Sequence, residues 1–200
     1  MTDFLGEIEK DIKNFLHKPE SASAPAVTTP VIVVPTLQPH STPPHDDTEA
    51  MITFYGKPWE DSSLLVQIPV PFPMTFREDN GHLIPIPHLT FHKKAASALI
   101  NVFNKIAVLY KTDPTVIKHV THFSGSYNYR PIRGSTRLSD HAFGAAIDFD
   151  AENQPMTYEV CHSADQPQAV YDAFKSEGFW WGGDFHSRKD PMHWQFAYEK

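Results

Sequence analysis

Cysteine is nearly missing from this chain: Cys161 is the only one in 200 residues. That excludes an intrachain disulfide framework and any cysteine-rich zinc finger, so a bound metal must rely on imidazole and carboxylate. Excess positive charge is absent too. The formal net charge is -7, which argues against a protein whose main partner is nucleic-acid phosphate. There is no apolar run of membrane-spanning length, since Val31-Ile32-Val33-Val34 is short and sits between prolines. The first residues, Met1 to Glu7, show neither a basic region nor a signal-type apolar stretch, so the chain is expected to be cytoplasmic when synthesised. Internal repeats are not visible.

What is present suffices for one domain and an appendage, with 40% apolar residues. Residues 1–19 read as an amphipathic helix, with Phe4, Leu5, Ile8, Ile12, Phe15 and Leu16 on one face and Pro19 as its stop. Such a short helix needs a surface to lie on: its own domain, another copy or a protein partner. Residues 20–47 hold six prolines and no glycine and read as a partly extended linker. A domain is expected over 48–200. Within it, 52–76 reads as an irregular, proline-punctuated wrap and 91–110 as the clearest helix. A strand is expected over 116–123, and a second helix between a capping pattern at Asp165 and Gly178. Short strands are expected over 145–150, 179–182 and 192–197. The class is α+β.

The chemistry-bearing residues lie near the C-terminal end. His141 precedes Asp148 across the small-residue run Ala142-Phe143-Gly144-Ala145-Ala146-Ile147, and Asp190-Pro191-Met192-His193-Trp194 follows much later. Asp148 after Ile147 suits a carboxylate on a buried strand, where a cation partner offsets the cost of burial. Alternation places Met192, Trp194 and Phe196 on one face and His193 and Gln195 on the other. His141, Asp148 and His193 together supply three ligands of the kind a hydrolytic zinc site uses, with one position left for water. Asp190, stiffened by Pro191, could carry the proton of that water. Any one of these histidines alone reads as an ordinary packing or surface residue. Cys161 reads as inert.

Arginine is scarce, yet Arg130, Arg133 and Arg137 fall within eight residues and run straight into the His141 motif. A fixed, forked cation there could stabilise an oxyanion or hold a substrate carboxylate, or simply order the loop through ion pairs. Trp181 could stack on a substrate or pack in the core.

The order Tyr127-Asn128-Tyr129-Arg130, Arg137-Leu138-Ser139, His141 to Asp148 and Asp190-Pro191-Met192-His193-Trp194 resembles the M15 metallopeptidases. Those comprise D-alanyl-D-alanine dipeptidases and carboxypeptidases, and L-alanyl-D-glutamate peptidases that serve as bacteriophage endolysins. Trp180-Trp181-Gly182-Gly183-Asp184 is similar to a stretch in the endolysin-like branch. The resemblance spans about residues 50–198. It implies a small α+β domain whose antiparallel sheet carries one Zn2+ on His141, Asp148 and His193. It makes Asp190 the catalytic acid/base and Arg130 the oxyanion contact; beside it, Arg133, Trp181 and Tyr129 stand as candidate substrate-binding residues. The implied partner is the peptidoglycan stem peptide, cut between L-Ala and D-Glu by a phage or prophage endolysin that reaches the wall after release. Three alternatives stand beside it: a D-alanyl-D-alanine carboxypeptidase or dipeptidase, a wall-degrading protein of the phage particle, and a metal-holding module without catalysis. The first 47 residues match no wall-binding module, and the acidic balance is unlike that of a lysin drawn to an anionic envelope.

Overall fold

The computed structural model describes residues 42–161 and 166–199. The helix expected over 1–19, the linker up to residue 41 and the Asp165 end of the capping pattern lie outside the described residues. The remainder is α+β, as expected, with its strands in three antiparallel sheets.

Helix α1 (Thr48–Tyr55) starts where Asp47 accepts the Ala50 N–H at 2.9 Å, and it buries Met51 and Tyr55. Residues just before it already pack: His45 bridges Tyr198, and Asp46 is buried. Strand β1 (Leu65–Pro69) pairs with β4 (His88–His92), and β2 (Thr75–Arg77) pairs with β3 (Leu83–Pro85). The stretch expected to be an irregular wrap therefore contains two strands. Its prolines flank or end them: Pro69 closes β1, and Pro71 and Pro73 fill the interval before β2. That is where a residue without an N–H does least harm to a ladder.

Helix α2 (Lys93–Thr112) follows directly, capped by the His92 ring accepting the Lys94 N–H at 3.1 Å. Ala95, Leu99, Val102, Phe103 and Ile106 are buried at the three- and four-residue spacing visible in the sequence. Each large side chain contributes about 1.5–3 kcal/mol of burial, which anchors the helix layer. The strand expected over 116–123 is not there. Asp113 accepts the Thr115 N–H at 3.0 Å and Pro114 sits at the first helical position, so Pro114–Ile117 forms a 3-10 turn instead. Extended pairing begins only at His122, which bridges Thr75, and continues into Phe123.

The main sheet has the order β5 (Phe123–Gly125), β6 (Ala146–Phe149), β8 (His193–Gln195), β7 (Trp180–Trp181). Helix α3 (Gln168–Lys175) packs beneath it. Phe174 stacks on Trp194 with ring centroids 4.3 Å apart, and Phe149 and Phe179 meet Phe174 edge-on. Pro167 occupies the N-cap of α3 and offers no capping side chain. The sheet's other face is left for polar chemistry.

Candidate metal centre

Pairing of β6 with β8 sets Asp148 opposite His193, Ile147 opposite Trp194 and Ala146 opposite Gln195. With a side-chain period of two, this register sends Trp194 into the core and leaves Asp148 and His193 facing each other. His141 arrives from the 3-10 turn Asp140–Phe143, which Gly144 ends at φ +64. A Cβ on Gly144 would lie 2.8 Å from Leu65 Cδ2 and 3.1 Å from the His92 backbone N, so only glycine lets the turn press this close to β1 and β4.

The three side chains converge. His193 Nδ1 lies 2.8 Å from Asp148 Oδ1, His141 Nε2 lies 3.1 Å from Asp148 Oδ2, and the two ring nitrogens are 3.2 Å apart. All three residues are buried. The outer ring nitrogens are also engaged: His141 Nδ1 meets Ser126 O at 2.6 Å, and His193 Nε2 meets Gln195 Oε1 at 3.0 Å. Gln195 Nε2 in turn donates to Ala197 O, which turns its carbonyl oxygen toward His193. Neutral rings that donate outward to these acceptors have their inner nitrogens as bare lone pairs beside a carboxylate. Three electron-rich atoms at this separation require a proton or a cation between them.

A tetrahedral ion with bonds of about 2.0–2.2 Å needs ligand atoms about 3.3–3.6 Å apart, a few tenths of an ångström beyond those observed. The donor set therefore fits a metal such as zinc. The electrostatics agree. Burial by itself would raise the Asp148 carboxyl, but His141 and His193 hold it well below the usual carboxylate range. Burial would likewise lower His193, yet its bond to Asp148 and the nearby carboxylates lift it to about 9.

Asp190 sits beside this group. Its Oδ1 is sealed from solvent without a hydrogen-bond partner. Burial pushes its carboxyl up to about 6; His193 opposes that, Asp148 reinforces it, and Arg188 and Arg130 pull it down. The backbone placing it is tight. Asp190 N–H donates to Gly182 O at 2.9 Å, and His193 N–H donates to Asp190 O at 3.0 Å. A Cβ on Gly182 would come within 2.3 Å of Asp190 O, so the glycine after Trp181 is a cradle for this residue.

The remaining sequence-derived candidates divide. Arg130 is half-buried, its Nη1 3.4 Å from Pro131 O, and its charge is felt at Asp190. Tyr129 is 54% exposed and stacks on Trp59, which meets Phe143 edge-on. Arg133 lies exposed in the turn of a small hairpin. Trp181 is the correction: it is fully buried, donates Nε1–H to Pro191 O at 2.8 Å and stacks against Trp194, so it has no face for a substrate. Sequence reasoning did not single out Arg188, Ser126 or the holding role of Gln195. Only Gln195 left a trace, in its placement on the His193 face.

Residues 133–196 match the peptidase M15 family model described as D-alanyl-D-alanine carboxypeptidase. This stretch is thus similar to the M15 peptidases. The M15 match takes in His141, Asp148, Asp190 and His193, and it begins just after Arg130. M15 peptidases are typically zinc-dependent, in keeping with the donor set. Neither the curated proteins nor the solved structures gave a match.

Proposed function

We propose that the protein is a zinc-dependent peptidase of bacterial peptidoglycan, cutting the stem peptide between L-Ala and D-Glu. The observation that carries this reading is the pairing of a cation-demanding His141, Asp148 and His193 cluster with the unpartnered Oδ1 of Asp190. A zinc ion held there would supply Lewis acidity and an activated water. Asp190, whose carboxyl burial pushes up, accepts the proton of the attacking water and passes it to the leaving amine. Arg130 faces the negative charge that develops on the scissile carbonyl oxygen. Tyr129 and Arg133 are assigned to the outer substrate contacts, where their exposure suits a long, flexible ligand.

No described helix is long and apolar enough to cross a membrane. In this reading the protein is a phage or prophage endolysin, made in the cytoplasm and acting on the wall after release. The N-terminal amphipathic segment is proposed to mediate self-association or to bind a protein partner. Sizing the full chain against one beginning at residue 42 tests the self-association, since only the full chain should then oligomerise.

The description of the matched family favours a second reading, removal of a terminal D-Ala. Mass spectrometry of peptidoglycan digested by the zinc-loaded protein separates the two, with Asp190→Ala as control. New N-terminal D-Glu absent with the variant supports the endopeptidase. Released D-Ala supports the carboxypeptidase. Intact wall from several sources, despite one bound zinc, leaves the metal-holding module.

A further inference from the structure

Just ahead of α1 lies a contact that the chemistry above does not use. Asp46 is only 6% exposed. Its N–H donates to Tyr198 O at 2.9 Å, and the Tyr198 N–H donates to Pro44 O at 2.8 Å, so residues 44–46 run parallel to the segment that follows β8. Arg137 reaches Asp46 from the other side. Its Nη1 donates to Asp46 O at 2.7 Å and lies 3.3 Å from Oδ2. A buried carboxylate without a cation is costly, and the planar guanidinium suits a carbonyl and a carboxylate together in a way an ammonium does not.

Arg137 belongs to a short hairpin. Pro131 and Leu138 pair antiparallel, the Ile132 N–H donates to Arg137 O at 2.8 Å, and the Ser139 N–H donates to Arg130 O at 3.1 Å. One arm of the hairpin begins with Arg130. The other runs through Arg137 into Ser139, the residue that opens the turn carrying His141. Asp46 and Arg137 also both act electrostatically on buried Asp140, which places the three groups together at the hairpin's base.

We infer that the Asp46–Arg137 clasp is a positioning device for Arg130, fixing the 130–139 hairpin beside the metal centre. Neither residue touches reacting atoms; they act through the hairpin backbone. The end of the Pro-rich stretch is thereby a working part of the site and not only a tether. The catalytic half of this inference rests on the proposed role of Arg130, while the structural half does not.

The test uses the full-length chain with Asp46→Ala, Arg137→Ala and Arg137→Lys. Amide hydrogen exchange at Ile132 and Ser139 is compared with exchange at Ala98, Val102 and Ile106 in α2. Both alanine variants should accelerate the two hairpin amides by about tenfold or more and leave the α2 amides within about twofold. Arg137→Lys should recover part of the protection, because a point cation can still reach one acceptor. On wall substrate, Asp46→Ala should lower kcat/KM about tenfold through kcat, and by less than about twofold when Arg130 is already alanine. Unchanged hairpin exchange overturns the inference, and so does acceleration spread evenly through α2. Penalties at Asp46 and Arg130 that simply multiply would overturn the link to Arg130. A wild-type chain that cleaves no wall would sink the peptidase reading, while the exchange data would still decide the clasp.

Discussion

His92 and His193 are both buried imidazoles at the ends of strands, and their environments move them in opposite directions. Burial lowers His92 to about 4; the Tyr55 carbonyl at 2.8 Å works against that, and Lys94 and Lys93 add to it. Burial pushes His193 the same way, but Asp148 at 2.8 Å and the surrounding carboxylates carry it to about 9. At His92 the ring is matched to the backbone, one nitrogen donating to Tyr55 O and the other accepting from the Lys94 N–H. Nothing further is required there. At His193 the outer nitrogen is matched to Gln195, and the inner one faces a carboxylate and a second lone pair. Burial of a histidine therefore says little about function. What surrounds its second nitrogen separates a joint from a cation site.

The largest break in this contrast comes from Asp148→Asn. Removing the charge should turn His193 into a second His92, with its metal-free pKa falling from about 9 to below the ordinary value, as an NMR titration would read. Metal binding should be lost by calorimetry, and with it activity. For the wild type, metal at about 1,000 times its Kd should add about 4 kcal/mol of stability, which chelation removes. In a domain of this size that is a fall in Tm of about 8–16 °C. A chelator that leaves Tm unchanged would count against the centre.

Asp190→Ala should cost about 10²–10⁴ in kcat with metal affinity retained, which a metal titration run beside the assay would check. Gly182→Ala sharpens the same point without touching a polar group. Its Cβ would meet Asp190 O at 2.3 Å, so Asp190 must move. A shift of about 1 Å is expected to cost about 100-fold in kcat, again with metal retained. Equal activity of Gly182→Ala and wild type would mean that the position of Asp190 is not critical.

The parts of this site that were legible in the sequence are those written as pattern. Alternation over Met192 to Phe196 put His193 and Gln195 on one face, and the β6–β8 register confirms it. The α2 helix was legible for the same reason, through its spacing of buried residues. What stayed hidden depends on distant parts of the chain meeting. Arg137 finds Asp46 across 91 residues, and His141 finds the Ser126 carbonyl, an atom every residue possesses. Trp181 was ambiguous because an indole serves core and cleft equally well until its N–H partner, here Pro191 O, is known. The failed strand at 116–123 shows local capping by Asp113 overriding a β-branched run.

Gln195 tests the supporting layer. Replacing it with alanine removes the acceptor that fixes the His193 tautomer, and metal affinity should fall about 10–100-fold while the fold survives. Competition against a chelator of known strength would measure it. An unchanged affinity would show that the ring is oriented by Trp194 packing and the strand alone.

The other imidazole supplies a test that involves no metal. An unfolded histidine titrates near 6.5, whereas folded His92 titrates near 4. The unfolded chain therefore binds the proton first as pH falls. The stability His92 contributes is complete above about 6.5, declines below it and is gone once pH passes through about 4, by at most about 3 kcal/mol. Asp140 and Asp190 titrate in the same interval with raised values, and acids raised on folding stabilise the protein as pH falls. The effect must therefore be read as a difference, by denaturant unfolding of wild type against His92→Gln at pH 7, 5.5 and 4. The gap should shift in the variant's favour toward acid pH. A constant gap would mean that the His92 ring is already reached by water, and that its contrast with His193 is one of charge partners alone.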